Sequence, residues 1–237
     1  MTDIGTTAMV LAAGYGLRMR PLTLVRPKPL IEVNGKPLID YCVDNMRTSG
    51  VTRAVVNVHY LLEQLEDWAV RQALPSFEIS DERDELLDTG GGIARALHRL
   101  GDAPFFVINS DSFWVDEGEP ALQRLRNTWD DKRMDCLLLV CPLNMTAGYG
   151  GAGDFVRSED GRLRRVGGTT GERLVYIGGF LVHPRIFADV PGGRFSMNVL
   201  WDRAIEQGRL FGIVHSGRWF HVGTPDAIAV VEAAMKG

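Results

Sequence analysis

Apolar residues along this chain follow two periods. Short, nearly continuous apolar runs at Ala8–Ala13, Ala54–His59, Phe105–Asn109 and Cys136–Val140 predict strands buried on both faces. Between them the spacing lengthens to that of a helix. Leu61, Leu65, Trp68 and Gln72 share one face, while Glu63, Glu66, Asp67 and Arg71 supply the wet side. Ile93, Leu97 and Leu100 recur at i, i+4 and i+7, and Leu122, Leu125 and Trp129 also recur at helical spacing. Pro37 opens a further helix through Tyr41 and Met46, which Gly50 closes. Strands alternating with amphipathic helices predict an α/β fold: a mostly parallel mixed sheet covered by helices on both faces, Rossmann-like in layout.

After about residue 142 the pattern changes. The glycine-rich stretch 148–153 fits neither a helix nor a strand interior. Residues 154–157, 162–166 and 174–182 then read as short strands, with Asp160-Gly161 as a hairpin turn. Ser196 caps a helix through Val199, Leu200, Ala204 and Ile205 that ends near Gly208. Residues 209–214 and 219–222 are strands, and Thr224-Pro225 starts a terminal helix. No linker, repeat or low-complexity tract interrupts residues 1–237, which read as one domain. Its first part, about 1–142, is helical and parallel; its second, about 143–237, is richer in β-structure and closes over a ligand.

Composition narrows the partners. With 45% hydrophobic and 24% charged residues, the 237-residue chain is ordinary for a water-soluble domain. A net charge of −4 argues against nucleic acid, and no apolar stretch is long enough to span a membrane. Met1 to Thr7 lack an apolar core, so no signal peptide is expected. Cys42, Cys136 and Cys141 form no CxxC pair and read as free thiols in a reducing cytoplasm.

Against that acidic background one basic cluster stands out, in the stretch from Met9 to Leu30. A buried strand empties into Gly14-Tyr15-Gly16, followed by Arg18, Arg20, Pro21-Leu22-Thr23 and Pro27-Lys28-Pro29. Glycines let backbone N–H groups approach an anion, and a lysine held between prolines is a placed point charge. The dinucleotide fingerprint fails, because Met19 stands at the third glycine position and Arg20-Pro21 follows where a helix should start. No Gly-Lys-Ser/Thr follows Gly16, so a P-loop is excluded too. The combination favours phosphate binding over a solvated turn.

Asn109-Ser110-Asp111 ends an apolar strand, at the edge where open α/β sheets bind ligands. Asp111 there is placed to hold Mg²⁺ beside a phosphate, although capping the next turn is its ordinary alternative. Asp88-Thr89 and the glycines 90–92 read as a loop leading into the helix from Ile93, able to let a flat group lie against the backbone. Gly153-Asp154-Phe155 and Tyr176 are candidate sugar contacts, at even odds with a purely structural role. His221, in Trp219-Phe220-His221-Val222-Gly223-Thr224-Pro225, is a ligand, a hydrogen-bond donor or a packed histidine.

These residues resemble the sugar-1-phosphate nucleotidyltransferases, of the nucleotide-diphospho-sugar transferase fold type. The family opening Leu-Ala-Ala-Gly-x-Gly-x-Arg-Met-x-Pro-Leu-Thr matches residues 11–23, and Pro-Lys-Pro-Leu matches 27–30. Asn-x-Asp matches Asn109 to Asp111, and Val-Gly-Thr matches Val222 to Thr224. Residues 57–60, 89–93 and 151–155 are similar to the branch of N-acetylmuramate 1-phosphate uridylyltransferases of cell-wall recycling. The resemblance implies Mg²⁺-dependent transfer of a nucleoside monophosphate from UTP, or another NTP, to a sugar 1-phosphate, with release of pyrophosphate. It implies Arg18, Lys28 and Asp111 as catalytic residues. Leu11, Ala12, Ala13, Gly14, Gly16, Lys28 and Gly90 would hold the nucleotide, and Asn109 and Asp154 the sugar. Two departures stand out. Leu17 replaces a threonine common in relatives, and His221 occupies the place of an aspartate that serves as second metal ligand. Mg²⁺ prefers oxygen, so either Asp111, phosphates and water hold the ion with His221 bonded to a metal-bound water, or the site takes Mn²⁺. A mannose 1-phosphate guanylyltransferase and a non-catalytic nucleotide-sugar sensor are the rival readings.

Overall fold

The computed structural model describes residues 4–168, 170–190 and 192–236. In chain order its elements are β1 (Thr7–Leu11), β2 (Glu32–Val33), β3 (Lys36–Pro37), α1 (Leu38–Thr48), β4 (Arg53–Val58), α2 (Leu62–Val70) and β5 (Ser76–Asp81). Then come α3 (Asp88–Leu100), β6 (Phe105–Asn109), β7 (Ser112–Val115), α4 (Ala121–Thr128), β8 (Cys136–Pro142) and β9 (Thr146–Ala147). The chain ends with β10 (Phe155–Arg157), β11 (Leu163–Arg165), β12 (Arg173–Val182), α5 (Met197–Glu206), β13 (Leu210–Val214), β14 (Arg218–His221) and α6 (Pro225–Met235). The leader reading for Met1 to Thr7 falls partly on residues 1–3, outside the described residues. Among the described residues no helix is long and apolar enough to cross a membrane.

The main sheet is mixed. Strands β5, β4, β1 and β6 run parallel side by side. The long β12 then pairs antiparallel with both β6 and β8, and β13 runs parallel to β8. One sheet therefore runs through both parts of the chain. The hairpin β10–β11 joins it along the first half of β12, as Asp160-Gly161 predicts.

Period-two alternation sends successive side chains to two cores. Ala8, Val10, Ala54, Val56, Phe106 and Ile108 face a core closed by α1, α2 and α4. Met9, Val55, Phe105 and Val107 face the opposite core, closed by α3 and α5. A third cluster joins Met19, Leu38, Phe113, Phe220 and Val231, binding the loop after β1 to α1, α6 and a small sheet of β7, β14 and β9. Ser196 caps α5 as predicted, accepting from the Asn198 amide at 3.3 Å.

Two local expectations change, and one strand adds to those expected. Strand β1 ends at Leu11, so Ala12 and Ala13 already belong to the loop. The 90–92 glycines lie inside α3 and are buried, not in a loop before it. Edge strand β5, whose sequence Ser-Phe-Glu-Ile-Ser-Asp is largely polar, forms by pairing residue for residue with β4.

Burial also sets a pH limit on this fold. His215 is buried at the end of β13, with Nε2 3.1 Å from the Val115 carbonyl. Desolvation, helped by nearby Arg124, pushes its pKa down to about 4, against the ordinary 6.5. Below the ordinary value the unfolded chain takes up a proton that the fold refuses, so this histidine weakens the fold as pH falls. Its contribution is full above about pH 6.5 and declines toward pH 4 by on the order of 3 kcal/mol. Urea unfolding across this range is expected to show that decline, and His215→Gln to flatten it; an identical slope in the variant would contradict the assignment.

Candidate active site

The carboxyl ends of three parallel strands build the site. Leu11 stands in register with Asn57 on one side and with Asn109 on the other. Beyond β1 the chain makes successive short 3₁₀ turns at Leu17–Met19, Leu22–Leu24 and Lys28–Leu30, with no helix, as the failed dinucleotide fingerprint requires. Two bonds hold this loop down at its start. The Ala12 amide donates to Asn57 Oδ1 at 2.8 Å, and Ser110 Oγ donates to the Leu11 carbonyl at 2.6 Å.

Lys28 and Asp111 meet across the site. Lys28 Nζ lies 2.9 Å from Asp111 Oδ2, with side-chain exposures of 10% and 37% respectively. Desolvation is the largest influence on the Asp111 carboxyl and pushes it upward. Lys28, His221 and Arg18 together overcome it and hold the pKa below the ordinary carboxylate value. Asp111 is thus held as an anion by the basic side chains around it. Beneath the turn, Cys42 Sγ lies 3.3 Å from the Asn109 carbonyl; burial pushes this thiol up to about 12, so it is an inert donor.

A cavity of about 540 Å³ opens over this edge, a size suited to a nucleotide. Leu11, Ala12, Ala13, Gly14, Gly16, Arg18, Lys28, Asn109 and Asp111 all line it, bringing together most of the residues singled out in the sequence. A second cavity of about 200 Å³ shares Leu11, Asp88, Thr89 and Asn109 with the first and extends to Tyr176 and Trp201. The shared wall gives the site two compartments joined at Asn109.

Other expected residues fall outside the walls. Gly90 lines neither cavity. A Cβ there would lie 2.4 Å from the Phe195 ring, so close packing of the 193–196 segment demands glycine. Gly91 meets the Gly193 carbonyl in the same way at 2.4 Å. Leu86, Asp88 and Thr89 form the wall instead. Asp154 also lines neither cavity; its Oδ2 accepts the Tyr176 amide at 2.9 Å and holds the start of β12. His221 is half-buried, in ring contact with Tyr149 and Trp219. Desolvation leads in pushing its pKa down, Asp111 opposes, and Lys28 and Arg18 reinforce, so the ring is neutral near pH 7. Among the described residues no group of three His, Cys, Asp or Glu side chains forms a metal cage.

Arg194 is a cavity residue that the sequence reading missed. It lies far along the chain with no motif around it. Its place comes from Phe195, whose amide donates to the Leu87 carbonyl at 3.1 Å and whose carbonyl accepts from Gly91 at 3.0 Å.

The two loop glycines have separable duties. Gly16 has φ +60°, and a Cβ there would meet Thr23 Cγ2 at 2.9 Å and Lys28 Cβ at 3.1 Å. Gly14 is not left-handed and its Cβ would meet nothing within 4 Å, since it points into open space on the cavity wall. Gly16→Ala is expected to destabilise the fold by about 1–2 kcal/mol through the left-handed backbone and the crowding. Gly14→Ala should leave thermal unfolding unchanged yet weaken nucleoside triphosphate binding about tenfold. Thermal melts and calorimetric titration of both variants check this; equal loss of stability in the two would contradict it.

Several known proteins are similar to this chain. Residues 7–161 match the nucleotidyl transferase family. The chain is 43% identical over 239 aligned positions, 99% of each chain, to an N-acetylmuramate alpha-1-phosphate uridylyltransferase of Caulobacter vibrioides. It is 34% identical to one of Neisseria meningitidis serogroup B, over 92% of this chain and 93% of the relative. A mannose-1-phosphate guanyltransferase of Hypocrea jecorina is 40% identical over 44% of this chain and 29% of its own. In fold, a UDP-glucose pyrophosphorylase complexed with UDP-glucose superposes with a TM-score of 0.80 at 18% identity, covering 98% of both chains. A family match over residues 7–161 and two relatives above 30% identity over more than nine-tenths of both chains lead to one conclusion: the chain belongs to the nucleotidyl transferase family.

Proposed function

We propose that this protein transfers UMP from UTP to N-acetylmuramate 1-phosphate, giving the nucleotide sugar and pyrophosphate. The observation that carries this reading is the 43% identity to the Caulobacter vibrioides uridylyltransferase over 99% of both chains. Similarity to the guanyltransferase covers 44% of this chain and so leaves more than half of it unmatched. A guanylyltransferase is the weaker reading for that reason. A non-catalytic sensor is weaker still, because Lys28 and Asp111 are paired at 2.9 Å beside Arg18.

In this reading an oxygen of the sugar's phosphate attacks the α-phosphorus of UTP, and the bond from that phosphorus to the oxygen of the β-phosphate breaks. Pyrophosphate carries away the electron pair. No covalent enzyme intermediate forms, so the residues contribute position and charge. Backbone from Leu11 to Gly14 holds the nucleoside against the strand edge. Lys28 faces the α-phosphate and Arg18 the departing pyrophosphate, with Arg194 as a further cation on the wall. Asn109, on the wall between the two cavities, orients the sugar phosphate.

A divalent cation fits the donor set through Asp111. Its carboxylate is held ionised and keeps about a third of its surface open to the cavity, and Mg²⁺ commonly takes one or two carboxylates beside phosphate oxygens. When bound, the ion supplies charge neutralisation at the phosphates. His221 offers nitrogen where Mg²⁺ prefers oxygen, so it would be a hydrogen-bonding neighbour of a bound Mg²⁺ and would ligate directly only Mn²⁺.

Pyrophosphate release from UTP or GTP with a panel of sugar 1-phosphates tests the proposal. UTP with N-acetylmuramate 1-phosphate is expected to be fastest; release with no pair would overturn the enzyme reading. Lys28→Ala should lower kcat about 100- to 1,000-fold. His221→Asp should lower the Mg²⁺ concentration needed for half-maximal rate and reduce any preference for Mn²⁺, whereas an unchanged metal response removes His221 from the metal's surroundings.

A further inference from the structure

Glu82 is fully buried at the end of β5, yet it lines neither cavity and forms no ion pair among the described residues. Arg95 and His59 act on its carboxyl only through their fields, and burial pushes that carboxyl up. A carboxylate in such a place costs stability unless each oxygen has a donor. Both do. Oε1 accepts from Asn57 Nδ2 at 2.7 Å, and Oε2 accepts from the Leu87 amide at 3.1 Å.

Each partner leads to a different wall of the larger cavity. Asn57 is itself buried and uses its Oδ1 to hold the Ala12 amide at 2.8 Å, at the head of the glycine loop. Leu87 lies between the wall residues Leu86 and Asp88 at the start of α3. The Glu82 backbone makes a further connection. Its carbonyl lies 2.7 Å from His59 Nδ1, and His59 Nε2 lies 2.8 Å from the Tyr15 hydroxyl, farther along the same loop. Gly92 completes the fit, since a Cβ there would come within 2.7 Å of Glu82 Oε1 and 2.8 Å of Asn57 Nδ2. The third glycine of the run is therefore the space that this carboxylate and amide occupy.

We infer that Glu82 is a positioning residue that sets the gap between the two walls of the nucleotide cavity, clamping the Ala12–Tyr15 loop to the start of α3 through Asn57 and His59. The chain of donors dictates the residue type. Asn57 must turn Oδ1 toward Ala12, so its amide N–H₂ faces Glu82 and requires an acceptor. Leu87 N–H requires a second. Glutamine keeps the shape but offers one acceptor and one donor, so it loses one of these bonds. The kinetic part of this inference rests on the nucleotidyl-transfer reading; the clamp itself does not.

Glu82→Gln and Asn57→Ala test it by two readouts. Site-resolved amide hydrogen exchange needs no substrate. In Asn57→Ala the Ala12 amide is expected to exchange about tenfold faster while Val10, Val56 and Leu87 keep their protection. In Glu82→Gln, Ala12 or Leu87 should be the faster one, again with Val10 and Val56 unchanged. In turnover, both variants should raise the KM for UTP about fivefold and leave the KM for the sugar 1-phosphate within twofold. The double variant should be no worse than the more impaired single variant, because both act on one chain of bonds. Unchanged exchange at both Ala12 and Leu87 would overturn the clamp, and so would a general loss of protection that includes Val10 and Val56. Equal rises in both KM values would overturn the positioning role. If the wild-type protein turns over no substrate pair, the functional reading fails while the exchange result still decides the clamp.

Discussion

The ion pair between Lys28 and Asp111 joins the loop after β1 to the end of β6, across 83 positions of sequence. Everything else in the site is arranged so that this pair can exist at a cavity wall and not inside the core. Lys28 is buried along its stem, between prolines in a 3₁₀ turn, and presents only its ammonium. Asp111 is left a third exposed, with Arg18 and His221 near enough to bias its charge. An ion pair that is half desolvated binds its partners weakly enough to exchange them. In the proposed reaction a triphosphate would take the ammonium and a cation the carboxylate, so that neither charge is stranded. In that reaction the pair would hold both halves of a phosphate site in a form with no net charge.

Around that pair, glycines mark where backbone or side chain must pass closely, and each has a different neighbour. Gly16 turns the loop so that Lys28 can pack against it, whereas Gly14 leaves space on the cavity side. The 90–92 run lies within a helix, where glycine is intrinsically unfavourable by about 1 kcal/mol per residue relative to alanine. Phe195 at Gly90, the Gly193 carbonyl at Gly91, and Glu82 with Asn57 at Gly92 account for that choice. The helix is crowded on successive sides by the segments that form the cavity's second wall. Local propensity yields here to the geometry of the site.

How much could be read in advance follows from the range of the interactions involved. Strands β1, β4, β6 and β8 were legible because both faces are buried, which leaves continuous apolar runs. The loop after β1 was legible as a site wall because its glycines, arginines and prolines stand within one short stretch. Edge strand β5 was not, since its polar alternation resembles a loop until β4 supplies the partner. The glycine run suggested a loop because nothing local to it announces Phe195 or Glu82. Arg194 is carried to the cavity by a segment that bonds, through Phe195, to Leu87 and Gly91, more than a hundred positions away. Asp154 lay in a recognisable motif, but its carboxylate holds the Tyr176 amide and not a cavity wall.

The most direct test of the account is the structure of the protein with a non-hydrolysable UTP analogue and a divalent cation. Lys28 Nζ should have left Asp111 for a phosphate oxygen, with Asp111 turned to the cation and the nucleoside lying over Leu11 to Gly14. A complex in which the 2.9 Å Lys28–Asp111 pair persists and the phosphates lie elsewhere would contradict the central claim.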